Sequence, residues 1–163
     1  MLSVSENVYA KDTSFYFDRA YENAEKGNHL EAIADFTKVI EMNPENSDAY
    51  FERGYSFSNL GRHEEAIADY TKAIELDPTF SAAFYNRGLS KLFLEKHKEA
   101  ILDFNRAIEF DSTSADAYHM RGYSKLILRM DDDACLDFRK ADSMGYEILN
   151  NQKLMVWIKR NCY

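Results

Sequence analysis

This chain is poor in the residues that punctuate most folds and in those that do most chemistry. Its 163 residues include two prolines and six glycines, too few turn residues for the many reversals of an all-β fold. Two cysteines, Cys135 and Cys162, are too few for a disulfide scaffold and lack metal-ligand spacing. Cys135 is expected to act as a small core residue. Cys162, next to last, is expected to be a mobile thiol prone to adventitious dimerisation. No run approaches the ~20 apolar residues of a membrane helix. The opening residues, MLSVSENVYAKD, show neither a basic cluster nor an apolar stretch, so no secretory leader is read and the cytoplasm is the expected compartment. Positive charge is short as well. Twenty Lys and Arg face 28 Asp and Glu, a net charge of −8 that repels phosphate backbones and anionic lipid. Nucleic acid and membrane are therefore poor partners. There is no glycine-rich phosphate loop, no Ser/His/Asp order, no His-Glu-x-x-His and no paired-carboxylate signature. The reading is of a non-enzyme with no cofactor and no metal.

What the chain does have is aromatics, 14% of all residues, and their placement is periodic. Steps of 34 from Tyr16 reach Tyr50, Phe84 and Tyr118. The same step links Ala32, Ala66, Ala100 and Ala134; Phe36, Tyr70, Phe104 and Phe138; Arg19, Arg53, Arg87 and Arg121; and Asp35, Asp69, Asp103 and Asp137. A small-residue column runs Ala20, Gly54, Gly88, Gly122. Six columns in one register define four repeat units, 13–46, 47–80, 81–114 and 115–148, behind an extension at 1–12 expected to be flexible.

Each unit reads as two helices, which makes the fold all-α. Ala66, Ile67, Tyr70, Ala73 and Ile74 fall at spacings of three and four, one amphipathic stripe. Glu64 and Glu65 suit the positive end of that helix, and Asp77-Pro78 ends it. Ser47-Asp48 is the expected cap of the next helix in the second unit. Gly27 and Gly61 mark the turn inside the first two units. Glu95 and Arg129 stand at the matching places later on, so those turns are expected to be less relaxed. One amphipathic hairpin cannot bury its stripe alone, so neighbours must stack. After Gly145, a segment at 149–163 places Leu154, Trp157 and Ile158 on one face and is expected to be a capping helix for the last unit.

The stretch EAIADYTKAIELDP, with YFERG or FYNRG ahead of it, resembles the tetratricopeptide repeat in the form common in bacterial and plant proteins. The resemblance covers about four fifths of the chain. It implies a right-handed superhelical array of antiparallel helix pairs, with the first helix of each pair lining a concave groove. It says little about the partner, because one scaffold serves many.

Two recurrent sets are read as structural. His29, His63 and His97 form a column, but successive repeats lie on the order of 10 Å apart whereas zinc ligands sit ~2 Å from the ion. The Arg and Asp columns recur in every unit, unlike an active site, and a bidentate pair would fix helix register. Asp131-Asp132-Asp133 is read as a helix start.

By the geometry that the resemblance implies, one groove column is Phe17, Phe51, Tyr85, His119. The next is Tyr21, Tyr55, Leu89, Tyr123. The flanking positions include Asp18, Glu52, Asn86 and Met120, and further along Glu25, Asn59, Phe93 and Ile127. The wall is therefore acidic toward the first two units and apolar toward the last two. Some relatives clamp a chaperone-tail carboxylate with Lys, Asn and Arg. Here those places hold Phe17, Tyr21 and Asn86, with Ala82 where a Lys is wanted, which argues against that ligand. The function read from the sequence is a protein-interaction scaffold for a peptide or partner helix with basic and large apolar residues. The alternative is a self-assembling structural protein, with a homodimer through its end repeats or capping helix.

Overall fold

The structure, a computed structural model, describes residues 4–146 and 152–163, with side chains from residue 12 onward. The described residues form nine helices and no strand. They divide into two compact units, Met1–Thr79 and Phe80–Tyr163. The first unit holds α1 (Val4–Glu25), α2 (His29–Met42), α3 (Ser47–Asn59) and α4 (His63–Leu76). The second holds α5 (Ser81–Phe93), α6 (His97–Phe110), α7 (Ala115–Ile127), α8 (Asp131–Ser143) and α9 (Gln152–Asn161). α1 begins at Val4, inside the stretch expected to be a flexible extension. The start of the expected capping segment, 149–151, lies outside the described residues.

Within each unit the helices pack as successive hairpins. α1 lies on α2, α2 on α3 and α3 on α4; in the second unit α5 to α8 follow the same order and α9 rests on α8. The stripe seen in the sequence is what they bury. Phe36, Tyr70, Phe104 and Phe138 are almost wholly inaccessible, each flanked by a buried alanine from the Ala32 column. Burying one such ring is worth roughly 1.5–3 kcal/mol. The small-residue column makes room for it. A Cβ built on Gly88 would lie 2.7 Å from the Phe104 ring, and one on Gly54 would lie 3.0 Å from that of Tyr70.

The turns follow one design. Gly61 N–H donates to the Ser58 carbonyl at 2.9 Å and Arg62 N–H to the Phe57 carbonyl at 2.9 Å, which returns two orphan carbonyls of α3 to partners. Glu95 and Arg129 make the same turn at φ 58° and 61°, a left-handed conformation that costs a residue with a Cβ roughly 1–2 kcal/mol. The cap of α3 is Asn46 rather than Ser47-Asp48. Its side chain accepts from the Ala49 N–H at 2.9 Å, while Asp48 adds charge to the first turn.

The Arg and Asp columns meet inside each repeat. Arg53 Nε and Nη2 donate to Asp69 at 2.7 and 2.8 Å, and Arg19 does the same to Asp35 at 2.6 and 2.7 Å. Arg87 with Asp103 and Arg121 with Asp137 repeat the fork. The spare nitrogen Nη1 reaches back sixteen residues, to Thr37 from Arg53 (3.0 Å) and to Asn105 from Arg121 (2.8 Å), tying a repeat to the one before it. Each guanidinium also covers the aromatic three residues ahead of it, as Arg53 covers Tyr50 at 5.7 Å and Arg87 covers Phe84 at 5.5 Å.

Cys135 is a buried core residue, as expected, but the expectation of a mobile thiol at Cys162 is overturned. Cys135 and Cys162 form a disulfide, with Cα atoms 5.0 Å apart, so neither is a free thiol. The reason lies in α9. Leu154, Ile158 and Cys162 stand four residues apart on one face and come down together on Ala134, Cys135 and Phe138 of α8. Trp157 packs beside them.

The forks differ in redundancy, and this gives a test. Arg53→Ala should strand the buried Asp69 carboxylate and cost about 3 kcal/mol. Arg87→Ala should cost less, because Lys91 Nζ remains 2.8 Å from Asp103. Urea unfolding of the two variants measures the difference; equal losses would contradict the assignment.

Candidate functional site

In the first unit the positions expected to line a groove stand on α1 and α3, which touch each other. Their side chains divide into two layers. Phe17 meets Phe36 edge-on at 5.5 Å, and Phe51 leans on Tyr70 at 5.8 Å. Both are half-buried, so each ring belongs partly to the core. Tyr21 and Tyr55, one helical turn on, are 45% and 44% exposed and form the outer layer. Carboxylates stand on the same two helices. Asp18, Glu25 and Asp48 are exposed, and Glu52 is half-buried. Burial pushes the Glu52 carboxyl above its ordinary range, and the nearby Asp48 charge adds to that. Burial also raises the Tyr70 phenol, with smaller contributions from Tyr55 and Glu52, which puts these groups in one neighbourhood.

In the second unit the same positions stand on α5 and α7, again in contact. Tyr85 leans on Phe104 at 5.9 Å and is half-buried, as are Asn86 and Leu89. The Asn86 amide donates to the Ala82 carbonyl at 2.9 Å, one turn back in its own helix. Phe93 and Ile127 at the far ends of α5 and α7 are 70% and 47% exposed. The two remaining positions are covered by the chain itself. His119 is only 5% exposed, packed on Phe138 and stacked with Tyr146. Tyr123 packs against the cluster that α9 closes. These two residues therefore offer less surface than their column mates.

Exposed tyrosines supply rigid area for stacking and apolar contact, and carboxylates favour cationic partners. Among the described residues no group of three or more His, Cys, Asp or Glu is placed to hold a metal. His29, His63 and His97 each begin a second helix, in three successive repeats. An open pocket of about 310 Å³ at the α5–α6 turn, lined by Glu95, Lys96, His97, Lys98, Glu99 and Leu128, contains none of the residues expected to line a groove. The columns expected from the resemblance leave out Tyr146, since it matches no aromatic column. The only signal was Gly145 standing where Asn43, Asp77 and Asp111 stand earlier.

Models of the tetratricopeptide repeat match residues 47–80 and, in a second form, residues 13–46 and 81–114. Among solved structures the chain is similar to MamA protein, at 26% identity and TM-score 0.79, over 83% of this chain and 74% of that one. It is also similar to the second repeat domain of human RPAP3 in complex with the HSP70 peptide SGPTIEEVD, at 27% identity and TM-score 0.69, over 72% of this chain and 98% of that one. A MamA segment from Desulfovibrio magneticus shares the fold at 17% identity and TM-score 0.77, over 82% of this chain and 75% of that one. No curated protein matches the chain.

Burial sets the acid sensitivity of the second unit. Desolvation lowers the His119 pKa to about 4 from 6.5, against a small opposing pull from Asp116. A histidine held neutral in the fold gives stability that is complete above about pH 6.5 and is lost as pH falls toward 4, at up to roughly 1.4 kcal/mol per pH unit. Asp35, on α2 of the first unit, acts at lower pH. The hydrogen bond from Arg19 depresses its carboxyl below 3.8, so its contribution is present above that pH and lost as pH falls through its folded value. His119→Phe should therefore flatten the stability profile between pH 6.5 and 4 while leaving the fall below pH 3.8. Unchanged slopes in urea titrations across that range would refute the burial of His119 as a neutral ring.

Proposed function

The chain belongs to the tetratricopeptide repeat family, and on that premise we propose that it is a non-enzymatic scaffold whose first-helix walls take a peptide segment of a protein partner. The observation that carries this reading is the outer layer of the first unit. Tyr21 and Tyr55 stand nearly half exposed over a packed aromatic base, with Asp18, Glu25, Asp48 and Glu52 on the same two helices. Rings anchored from below and open above lose little entropy on binding, which is why tyrosine serves so often as an anchor. The proposed peptide-binding set is Phe17, Tyr21, Phe51, Glu52, Tyr55, Tyr85, Asn86 and Leu89, with His119 and Tyr123 completing the columns under the chain's own cover. The inner rings position the outer ones.

Charge selects the partner. A basic segment with large apolar side chains gains from the first-unit carboxylates, and the exposed Phe93 and Ile127 extend the apolar preference to the second unit. An acidic tail such as the SGPTIEEVD that the RPAP3 domain holds meets like charge here. No Lys stands at Ala82, and the Asn86 amide is turned to its own helix.

The test uses two labelled peptides, Lys-Trp-Lys-Lys-Trp-Lys and SGPTIEEVD, followed by fluorescence anisotropy. The basic peptide should bind, and it should weaken with added salt as the carboxylate attraction is screened. Tyr55→Ala with Glu52→Gln, at half-exposed positions, should fold and lose about ten-fold in affinity. Tighter binding of SGPTIEEVD than of the basic peptide would overturn the proposed selectivity, and an unaffected double variant would overturn the wall.

A further inference from the structure

Three second helices end alike and the fourth does not. α2, α4 and α6 close on Asn43, Asp77 and Asp111, with φ of −140°, −127° and −136°. The counterpart after α8 is Gly145, with φ +83°, a conformation open to glycine and costly to other residues. Its N–H donates to the Asp142 carbonyl at 2.9 Å and the Tyr146 N–H to the Ala141 carbonyl at 3.1 Å. The chain thus leaves α8 by a different path. Tyr146, which stands in the column of Pro44 and Pro78, lands with its ring on His119. The centroids are 4.2 Å apart and the planes 21° from parallel.

The place it occupies is a groove position. His119 follows Phe17, Phe51 and Tyr85 in the inner column. Those three are half-buried and His119 alone is buried. Burial raises the phenols of both Tyr146 and Tyr85. The Asp116 carboxylate acts on each, and Tyr146 acts on Tyr85. His119, Tyr85, Asp116 and Tyr146 therefore share one neighbourhood.

We infer that Tyr146 is an internal ligand, filling the aromatic seat made by His119 and Tyr85 on the second-unit wall, so that a partner's aromatic side chain must displace it. The inference rests on the proposed reading of the wall as a binding surface and adds to it a means of regulation. Tyr146 lies inside the loop that the Cys135–Cys162 bond closes, a sequence separation of 27. The far end of that loop is held by Leu154 and Ile158 in the α8 cluster and by the Tyr163 hydroxyl, which donates to Asp142 at 2.7 Å. With both ends fixed, the ring competes at an effective concentration on the order of millimolar. A dithiol opens the bond: two electrons and two protons convert the disulfide to two thiols, and the dithiol becomes a disulfide. The far end is then held only by the Leu154 and Ile158 packing and the Tyr163–Asp142 hydrogen bond, a looser tether, and Tyr146 leaves the seat more readily.

The probe is 4-methylphenol, the tyrosine side chain without its backbone, titrated while the His119 ring signals are followed by NMR. Wild type, Tyr146→Ala and Gly145→Val are compared, each oxidised and in dithiothreitol. Valine has no steric obstacle at position 145, where a Cβ meets nothing within 4 Å, but it resists positive φ. It redirects Tyr146 and keeps every ring, so a folding defect in Tyr146→Ala does not leave the question open. Both variants should bind the probe about ten-fold more tightly than oxidised wild type, with reduced wild type in between. Equal binding by oxidised wild type and both variants would overturn the internal ligand and leave the wall standing. Binding by no form at all would overturn both. Equal binding by oxidised and reduced wild type would overturn the tether.

Discussion

The Arg–Asp fork is the constraint on which the rest depends. It is set two residues beyond the inner aromatic on the first helix, as Arg53 is to Phe51. On the second helix it comes just before the buried aromatic, as Asp69 is to Tyr70. A planar guanidinium on a carboxylate fixes rotation as well as distance. With the fork made, Phe51 has Tyr70 beneath it, Gly54 is turned inward where that ring needs room, and Tyr55 is turned out. The exposed layer thus follows from a buried one. The third nitrogen, reaching Thr37 from Arg53 and Asn105 from Arg121, carries the same registration to the preceding repeat.

Recurrence made most of this legible. A column repeated four times at a spacing of 34 has one structural role, and its chemistry says which. Arginine against aspartate is a pair, alanine and glycine are a close approach, and an aromatic beside them is core. The same recurrence could not show how deeply any one ring sits. Phe17 and Tyr21 both look like groove residues in the sequence. Only the packing separates Phe17, held against Phe36, from Tyr21, which is nearly half exposed. The cap of α3 was misplaced by one residue because Asn46, Ser47 and Asp48 can all cap a helix, and only backbone geometry chooses among them.

Whatever occurs once was the least legible. The disulfide belongs to the last hairpin alone, and two isolated cysteines carry no periodic signal. Its cause was nonetheless present in the spacing of Leu154, Ile158 and Cys162, a stripe that must face α8 if the helix caps the array. Gly145 is a second singularity. It breaks a column of Asn and Asp, and the break sends Tyr146 onto His119. Departures from the repeat therefore mark the part of the molecule where the chain covers a first-helix residue, His119. The first unit, in which the pattern is kept, leaves its outer tyrosines open.

Chemical-shift mapping with the peptide Lys-Trp-Lys-Lys-Trp-Lys reads the central claim residue by residue. The account predicts that the largest changes fall on α1 and α3, at Tyr21, Glu52 and Tyr55. Changes concentrated instead on the exposed faces of the second helices, at Leu102 and Leu136, would show that the partner is held elsewhere and would contradict it.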